Sequence, residues 1–354
     1  MLNKAFFSII VPVRNEEKHI RRCLSSLVGQ DYDPKRYEII VVDGMSTDGT
    51  RKIVGEFVKA HQNLHLLDNP KLFVPAALNI GLRKARGEVI IRVDGHAYVG
   101  RNYLSACLRA LEDTRADCVG GTIQSINSKG NGNVITLAMS STFGVGNAYF
   151  RTSKKMGYVD TVAFGAYQRR VFERIGCFDE TLVRCQDDEL NYRLKKAGGK
   201  IYLHPDIQAF YYSRDDLRSL WKQYFQYGYW KVRVLQKHPR QMCLRQFVPP
   251  ALVSALLGSA LLSFFSTYGV ILLGLVVGAY LLANLLGSLW TAARVGWRNL
   301  FLLPLVYAIL HIGYGLGFLV GLMRFAHRWG DRQGKVPAFR NTCDATVEAT
   351  FPAA

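Results

Sequence analysis

No two cysteines in this sequence form a C-x-x-C pair: Cys23, Cys107, Cys118, Cys177, Cys185, Cys243 and Cys343 are scattered and odd in number. That pattern excludes a zinc knuckle and a disulfide framework, and it suits a reducing compartment. No strand-like run is followed by G-x-G-x-x-G, and G-x-x-x-x-G-K-[ST] is absent, so a dinucleotide fingerprint and a P-loop are both missing. Acids are scarce, 27 against 45 Lys and Arg, for a net charge of +18. Such a surplus suits nucleic acid, an anionic bilayer or phosphorylated substrates.

Charge is missing altogether from three long runs: "FVPPALVSALLGSALLSFFS" from Phe247, "GVILLGLVVGAYLLANLLGSLW" from Gly269 and "LFLLPLVYAILHIGYGLGFLVGLM" from Leu300. Each approaches the roughly 20 residues that cross a hydrocarbon core. A chain so anchored has a bilayer as its nearest polyanion, so no nucleic-acid partner is expected. The basic stretch before the first run, interleaved with Trp221, Tyr224, Phe225, Tyr229 and Trp230, has the composition of interfacial helices. The sequence therefore divides into a domain over 1–212, basic and aromatic interfacial helices over 213–246, about three transmembrane helices over 247–324 and a basic tail over 325–354. With a cytoplasmic N-terminal domain, three crossings put "RFAHRWGDRQGK" outside, against the positive-inside tendency. One of the three runs is thus a candidate for a re-entrant or interfacial course. The start, "AFFSIIVPV", is too short to span and reads as a strand rather than a signal peptide.

In the first 212 residues strand-like and helix-like runs alternate. "FFSIIVPV", "YEIIVVD", "LHLLD" and "EVIIRVD" are the strands, and Ile20, Cys23, Leu24, Leu27 and Val28 carry the first helical period. Continuous apolar strands predict an α/β fold with a mostly parallel sheet and helices on both faces. Ligands of such sheets bind beyond the carboxyl ends of the strands. Those ends read "VPVRNEE", "VVDGMSTDGT" and "RVDGHA".

Asp43, closing the second strand, is placed either to accept from a ribose or base, or to shape the turn. Asp48 reads as a turn and cap residue. Asp94 and His96 could supply one carboxylate and one imidazole to a divalent cation, which takes its other ligands from a diphosphate and water. Asp187, Asp188 and Glu189 start a helix that runs to Gly198. Acids there complement the helix dipole, and one of them could instead serve as a general base.

The order of these pieces carries more than each alone. "FSIIVPVRNEE", "VVDGMSTDGT", "PAALNIGLRKARGEVIIRVDGHA", "GAYQRRVFERIGCFDE" and "QDDELNYRLKKAGG" resemble, in order and spacing, the family 2 glycosyltransferases of GT-A fold. Within them the chain is most similar to the succinoglycan-type transferases of bacterial exopolysaccharide synthesis. The resemblance implies a nucleotide-diphospho-sugar donor, such as UDP-glucose, and inversion at the anomeric carbon. By position, Pro12, Arg14, Glu16 and Asp43 would surround the nucleoside. Asp94, with His96, would hold Mg²⁺ or Mn²⁺ beside the diphosphate, and Asp187, with Asp188 as the alternative, would be the base. Gln226 and Trp230, in a worn Q-x-x-R-W element, would face the acceptor.

Four positions depart from the family pattern: Gly44 for a second Asp, His96 for the second Asp of D-x-D, Gln186 for Glu, and Tyr229 for Arg. Loss of the full Q-x-x-R-W favours one sugar added to a lipid-linked saccharide over processive synthesis. Transfer directly onto polyprenyl phosphate and a degenerate, sugar-nucleotide-binding protein are the alternatives. The implied setting is a multi-pass protein of the cell inner membrane with a cytoplasmic catalytic domain. Other polysaccharide-assembly proteins are candidate partners.

Overall fold

The structure, a computed structural model, describes residues 5–126, 134–146, 156–213, 216–331 and 336–339. Cys343 and most of the basic tail lie outside the described residues. Strands β1 (Phe7–Val13) and β2 (Tyr37–Asp43) are buried along their whole length, as their long apolar runs require, and the polar Ser8 and Glu38 within them bond to each other at 2.6 Å. With β3 (Leu64–Asp68) and β4 (Val89–Arg92) they form the parallel half of one sheet, in the order β3-β2-β1-β4.

Beyond β4 the sheet is mixed. β8 (Ala163–Gln168) runs antiparallel to β4 and to β6 (Cys118–Ile126). The long β9 (Ile201–Tyr212) then pairs parallel with β6 and antiparallel with β5 (Ala97–Val99) and β7 (Gly157–Tyr158). The expected parallel arrangement thus describes one half, and the hairpin-like returns of β8 and β9 make the other.

Helices cover both faces. On one, α1 (Ile20–Val28), α2 (Thr50–Ala60) and α4 (Tyr103–Thr114) bury Leu24, Val54 and Leu104 against β1 and β2. On the other, α3 (Val74–Lys84), α7 (Arg169–Ile175) and α8 (Gln186–Lys196) bury Leu78, Phe172 and Leu190. Two short helices, α5 (Val134–Met139) and α6 (Thr142–Val145), leave this body and pack against the C-terminal part.

That part contains α9 (Leu217–Lys237), α10 (Val248–Ser263), α11 (Thr267–Val295) and α12 (Leu303–Arg324). Three helices, over Leu244–Ser263, Thr267–Val295 and Leu303–Arg324, are long and apolar enough to cross a membrane. The basic, aromatic stretch expected to form interfacial helices over 213–246 holds one helix of 21 residues, α9, followed by two short 3₁₀ turns. Helix α9 packs on α12 backbone to backbone: a Cβ on Gly317 would lie 2.0 Å from the Phe225 carbonyl oxygen, and one on Gly228 2.0 Å from that of Tyr314. Gly313, Gly317 and Gly321 recur every four residues along the α12 face turned to α9, the spacing that lets two helices approach this closely.

Candidate active site

The carboxyl ends of β1, β2 and β4 face one large cavity of about 1810 Å³. Its upper wall is sewn together from two loops. Asn15, with φ of 55°, donates its N–H to Ser46 Oγ at 2.9 Å and accepts from Thr47 N at 2.9 Å. Glu16 N–H reaches Thr50 Oγ1 at 2.8 Å, and Asp48 accepts from Thr50 N at 3.0 Å, the turn role its sequence indicates. These bonds hold Pro12, Arg14 and Glu16 on the cavity wall.

Of the two roles its position allows, Asp43 shows the shaping of the turn. Its carboxylate is fully buried, off the cavity lining, and accepts from Ser46 N at 3.0 Å, Ser46 Oγ at 2.5 Å and Arg51 Nη1 at 2.7 Å. Its observed work is to shape the loop behind the wall; Gly44 and Asp48 line the cavity instead.

At the end of β4 five charged groups gather, Arg92 with Asp94 and Asp187, and His96 with Glu16. Arg92, 13% exposed, donates to both oxygens of Asp94, at 2.8 and 3.0 Å, and its Nη1 lies 3.3 Å from Asp187 Oδ2. Burial opposes ionisation of Asp94, but the charges of Arg92 and His96 outweigh it and leave the carboxyl below its ordinary pKa. The imidazole of His96 meets Glu16 Oε1 through Nδ1 at 2.8 Å. Burial works against the imidazolium, yet the nearby Tyr211 and the bond to Glu16 push its pKa up to about 9.

This donor set fits a hard divalent cation with few protein ligands. Asp94 offers oxygen; Glu16 on Nδ1 leaves Nε2 of His96 as the ligating atom, the usual carboxylate–imidazole–metal arrangement. Among the described residues no group of three His, Cys, Asp or Glu side chains converges to hold a metal ion. A cation here would therefore complete its shell with diphosphate oxygens and water, and its arrival would release the His96 proton.

The structure separates the three acids that open α8. Glu189, 1% exposed, is held by Arg193 at 2.7 Å and His238 at 3.0 Å and is a packing residue. Asp188 receives Lys231 Nζ at 2.8 Å; burial would raise its pKa, but Lys231 brings it below the ordinary value. Asp187 and Asp188 both line the cavity, with side chains 41% and 36% exposed, and Asp187 is the one not held by Lys231. Burial raises its pKa, the neighbouring Asp188 and Asp94 add to that, and Arg92 only partly offsets them. A carboxylate that is accessible and more basic than usual is the one suited to accept a proton.

Gln226 lines the cavity and accepts from Arg184 Nε at 3.3 Å. Trp230 does not reach the cavity. One turn further along α9, its ring packs on Phe325 at 5.7 Å and Tyr229 at 5.5 Å, because the end of α12 covers that part of the helix. Arg92 and Lys231, which set the states of Asp187 and Asp188, carried no motif. The signal available was a lone Arg inside an otherwise apolar strand.

The model of the family "Glycosyl transferase family 2" matches residues 8–176. The succinoglycan biosynthesis protein ExoA of Rhizobium meliloti is 30% identical over 327 residues, which cover 90% of this chain and 96% of that protein. The chain belongs to glycosyl transferase family 2. It is accordingly an inverting glycosyltransferase, of the GT-A class in which divalent-metal dependence is typical. A second relative of this glycosyltransferase, from Methanococcus voltae, is a dolichyl N-acetyl-alpha-D-glucosaminyl phosphate 3-beta-D-2,3-diacetamido-2,3-dideoxy-beta-D-glucuronosyltransferase. It is 28% identical over 90% of this chain and 98% of its own. Among solved structures, the mannosyltransferase PcManGT of Pyrobaculum calidifontis shares the fold at a TM-score of 0.58 and 20% identity, over 90% of this chain and 88% of that one.

Proposed function

We propose that this glycosyltransferase moves a single sugar from a nucleotide-diphospho-sugar to a lipid-linked saccharide at a membrane surface, in the assembly of a bacterial exopolysaccharide. One observation carries the reading: the cavity is continuous from the strand ends to the apolar helices. Pro12, Arg14 and Asp94 line one end; Leu252, Val276 and Leu310, from α10, α11 and α12, line the other. A donor that is all polar and an acceptor with a lipid tail would enter such a cavity from opposite ends. The Rhizobium and Methanococcus relatives, named for succinoglycan synthesis and for transfer to a dolichyl-phosphate sugar, support the same acceptor class.

In this reading Asp187 removes the proton from an acceptor hydroxyl, whose oxygen attacks the anomeric carbon on the face opposite the nucleotide. Arg92 orients Asp187 and Asp94 towards each other. Asp188, tied to Lys231, holds α8 to α9 and is not the base. Asp94 and His96 would hold Mg²⁺ or Mn²⁺, which would neutralise charge on the departing diphosphate. Pro12, Arg14 and Glu16 form the nucleotide side of the site, and a UDP-sugar such as UDP-glucose is the proposed donor. Residues 1–212 act as the catalytic domain, on the cytoplasmic face of the inner membrane.

The experiment is transfer by detergent-solubilised protein from a panel of nucleotide sugars to membrane lipid extract, with Mn²⁺, with Mg²⁺ and with EDTA. The expected result is metal-dependent release of nucleoside diphosphate with one donor and a one-sugar mass gain in a lipid. A ladder of many sugars would overturn single addition, and a one-sugar gain on bare polyprenyl phosphate would overturn the saccharide acceptor.

A further inference from the structure

We infer that only α10 and α11 cross the membrane, and that α12 lies in the plane of its interface alongside α9, returning the chain to the side of the catalytic domain. The inference concerns topology and does not rest on the donor or acceptor proposed above.

The two ends of α12 give the first argument. Near its start, Tyr307 donates to Ser141 Oγ at 2.9 Å, and His311 Nε2 meets the Phe143 carbonyl at 3.0 Å, both on the α5–α6 segment, which Thr136 ties back to Ser213 at the end of β9 at 2.8 Å. At its end, Gln236 Nε2 on α9 donates to the Phe325 carbonyl at 2.7 Å, and Asp331 accepts from the buried Arg233 at 2.7 Å. The chain then reaches α7, where Cys177 N donates to the Pro337 carbonyl at 2.9 Å and Phe339 packs on Phe172. A helix with both ends fixed to one water-exposed body has not crossed a bilayer between them.

The register along α9 gives the second. Gly313 lies against Trp221, Gly317 against Phe225 and Gly321 against Tyr229, so the two helices run parallel and level for most of their length. At 22 residues α12 is about 33 Å long, enough to span. Were it to span, α9 would span beside it, and by the same register Arg218 and Lys222 of α9 lie level with Leu310 and Tyr314 in the middle of α12. Lys231 and Lys237, level with the end of α12 or past it, pair with Asp188 and Asp179 of the catalytic domain. That domain cannot enter hydrocarbon, where such charges are costly.

Burial separates the same helices. In the most apolar stretch of α12, 44% of residues are buried within the protein, against 17% for the first apolar helix and 11% for α11. The hairpin of α10 and α11 is the part left for lipid. The last turns of α11 have already come back out: Asn284, Ser288 and Thr291 form a buried polar stripe, with Asn284 on the Pro304 carbonyl at 2.9 Å and Thr291 on Tyr307 at 2.7 Å. What α12 turns outward is bracketed by Trp297 and Arg298 before it and Arg324, His327 and Trp329 after it, side chains that favour the headgroup level of an anionic bilayer. Two crossings also keep the basic segment after α12 with the catalytic domain, removing the conflict with the positive-inside tendency.

The test is one-sided labelling of the full chain in sealed membrane vesicles with an impermeant maleimide, in a Cys185→Ser, Cys243→Ser, Cys343→Ser background. Phe265→Cys reports the α10–α11 turn, Arg298→Cys the α11–α12 link, and Gly330→Cys the segment after α12. Expected is labelling of the last two from one side and loss of Phe265→Cys labelling from that side. Gly330→Cys labelling together with Phe265→Cys, or all three labelling from one side, overturns the inference. Protease protection of an epitope after Ala354 and of one at the N-terminus, which should be cut from the same side, reads the same topology if a cysteine variant misfolds.

Discussion

Arg92 Nη1 stands 3.3 Å from Asp187 Oδ2, and the same guanidinium grips Asp94. One buried cation thus sets the distance between the proposed base and the proposed metal ligand. Its removal should separate binding from turnover.

Asp187→Asn should lower kcat by about 10² to 10⁴ while leaving nucleotide binding and Tm near those of the parent protein. Asp188→Asn should do the reverse, lowering Tm, since Lys231 would remain buried without its partner. Turnover under saturating donor, beside a thermal melt of each variant, checks both; full activity in Asp187→Asn would remove it as the base.

The rate should depend on pH in a way that reports Asp187. The base works ionised, and burial with Asp188 and Asp94 beside it raises its pKa against the opposing charge of Arg92. The acid limb of kcat should therefore lie above the ordinary carboxylate range of about 4. A profile of kcat against pH with no such limb, or one at the ordinary value, would contradict the assignment.

Lys237 and Asp179, each 1% exposed, form an ion pair between α9 and the loop before α8, and Thr181 shares it. Burial opposes the charge on Asp179, but Lys237 and Thr181 hold its pKa below the ordinary value. The stability it adds is fully present above its unfolded pKa of about 3.9 and is lost only as pH falls through the lower folded value. Asp179→Asn should cost about 3 to 5 kcal/mol at neutral pH by stranding Lys237. Its stability should also fall less between pH 5 and pH 2 than that of the parent; denaturant melts across that range check the sign.

Gly317→Val should disrupt α9–α12 packing, because its Cβ would meet the Phe225 carbonyl, and destabilise by about 1 to 3 kcal/mol. Gly278→Val on α11, with nothing within 4 Å, should leave the melt unchanged. Paired thermal melts in one detergent make the comparison.

The parallel half of the sheet was legible because β1 and β2 are buried on both faces and most of each strand is a continuous apolar run. Asp94 and Asp187 were legible through the order of motifs. The partners that decide their chemistry were not: Arg92 reaches Asp187 across 95 positions, and Lys231 reaches Asp188 across 43. Trp230 was misplaced because its surroundings depend on where α12 ends, which helical period does not specify. The role of Asp43 stayed open between ligand contact and turn because a strand end looks the same in sequence whether its side chain faces the ligand or the loop behind it. Apolar length alone likewise cannot distinguish α12 from α10, since a glycine-lined face against another helix is as free of charge as one against lipid.

The bond from Cys177 N to the Pro337 carbonyl closes the chain on itself beyond the membrane hairpin. With Lys237 fixed to Asp179, the chain is tied to the catalytic domain both before α10 and after α12. If α10 and α11 cross the bilayer as inferred above, these two ties would set the height of Asp187 above the lipid. An acceptor would be chosen by reach: a glycan that is too short leaves its terminal hydroxyl below the carboxylate, and one that is too long overshoots it. The two ties would work as a gauge of how many sugars the carrier already bears.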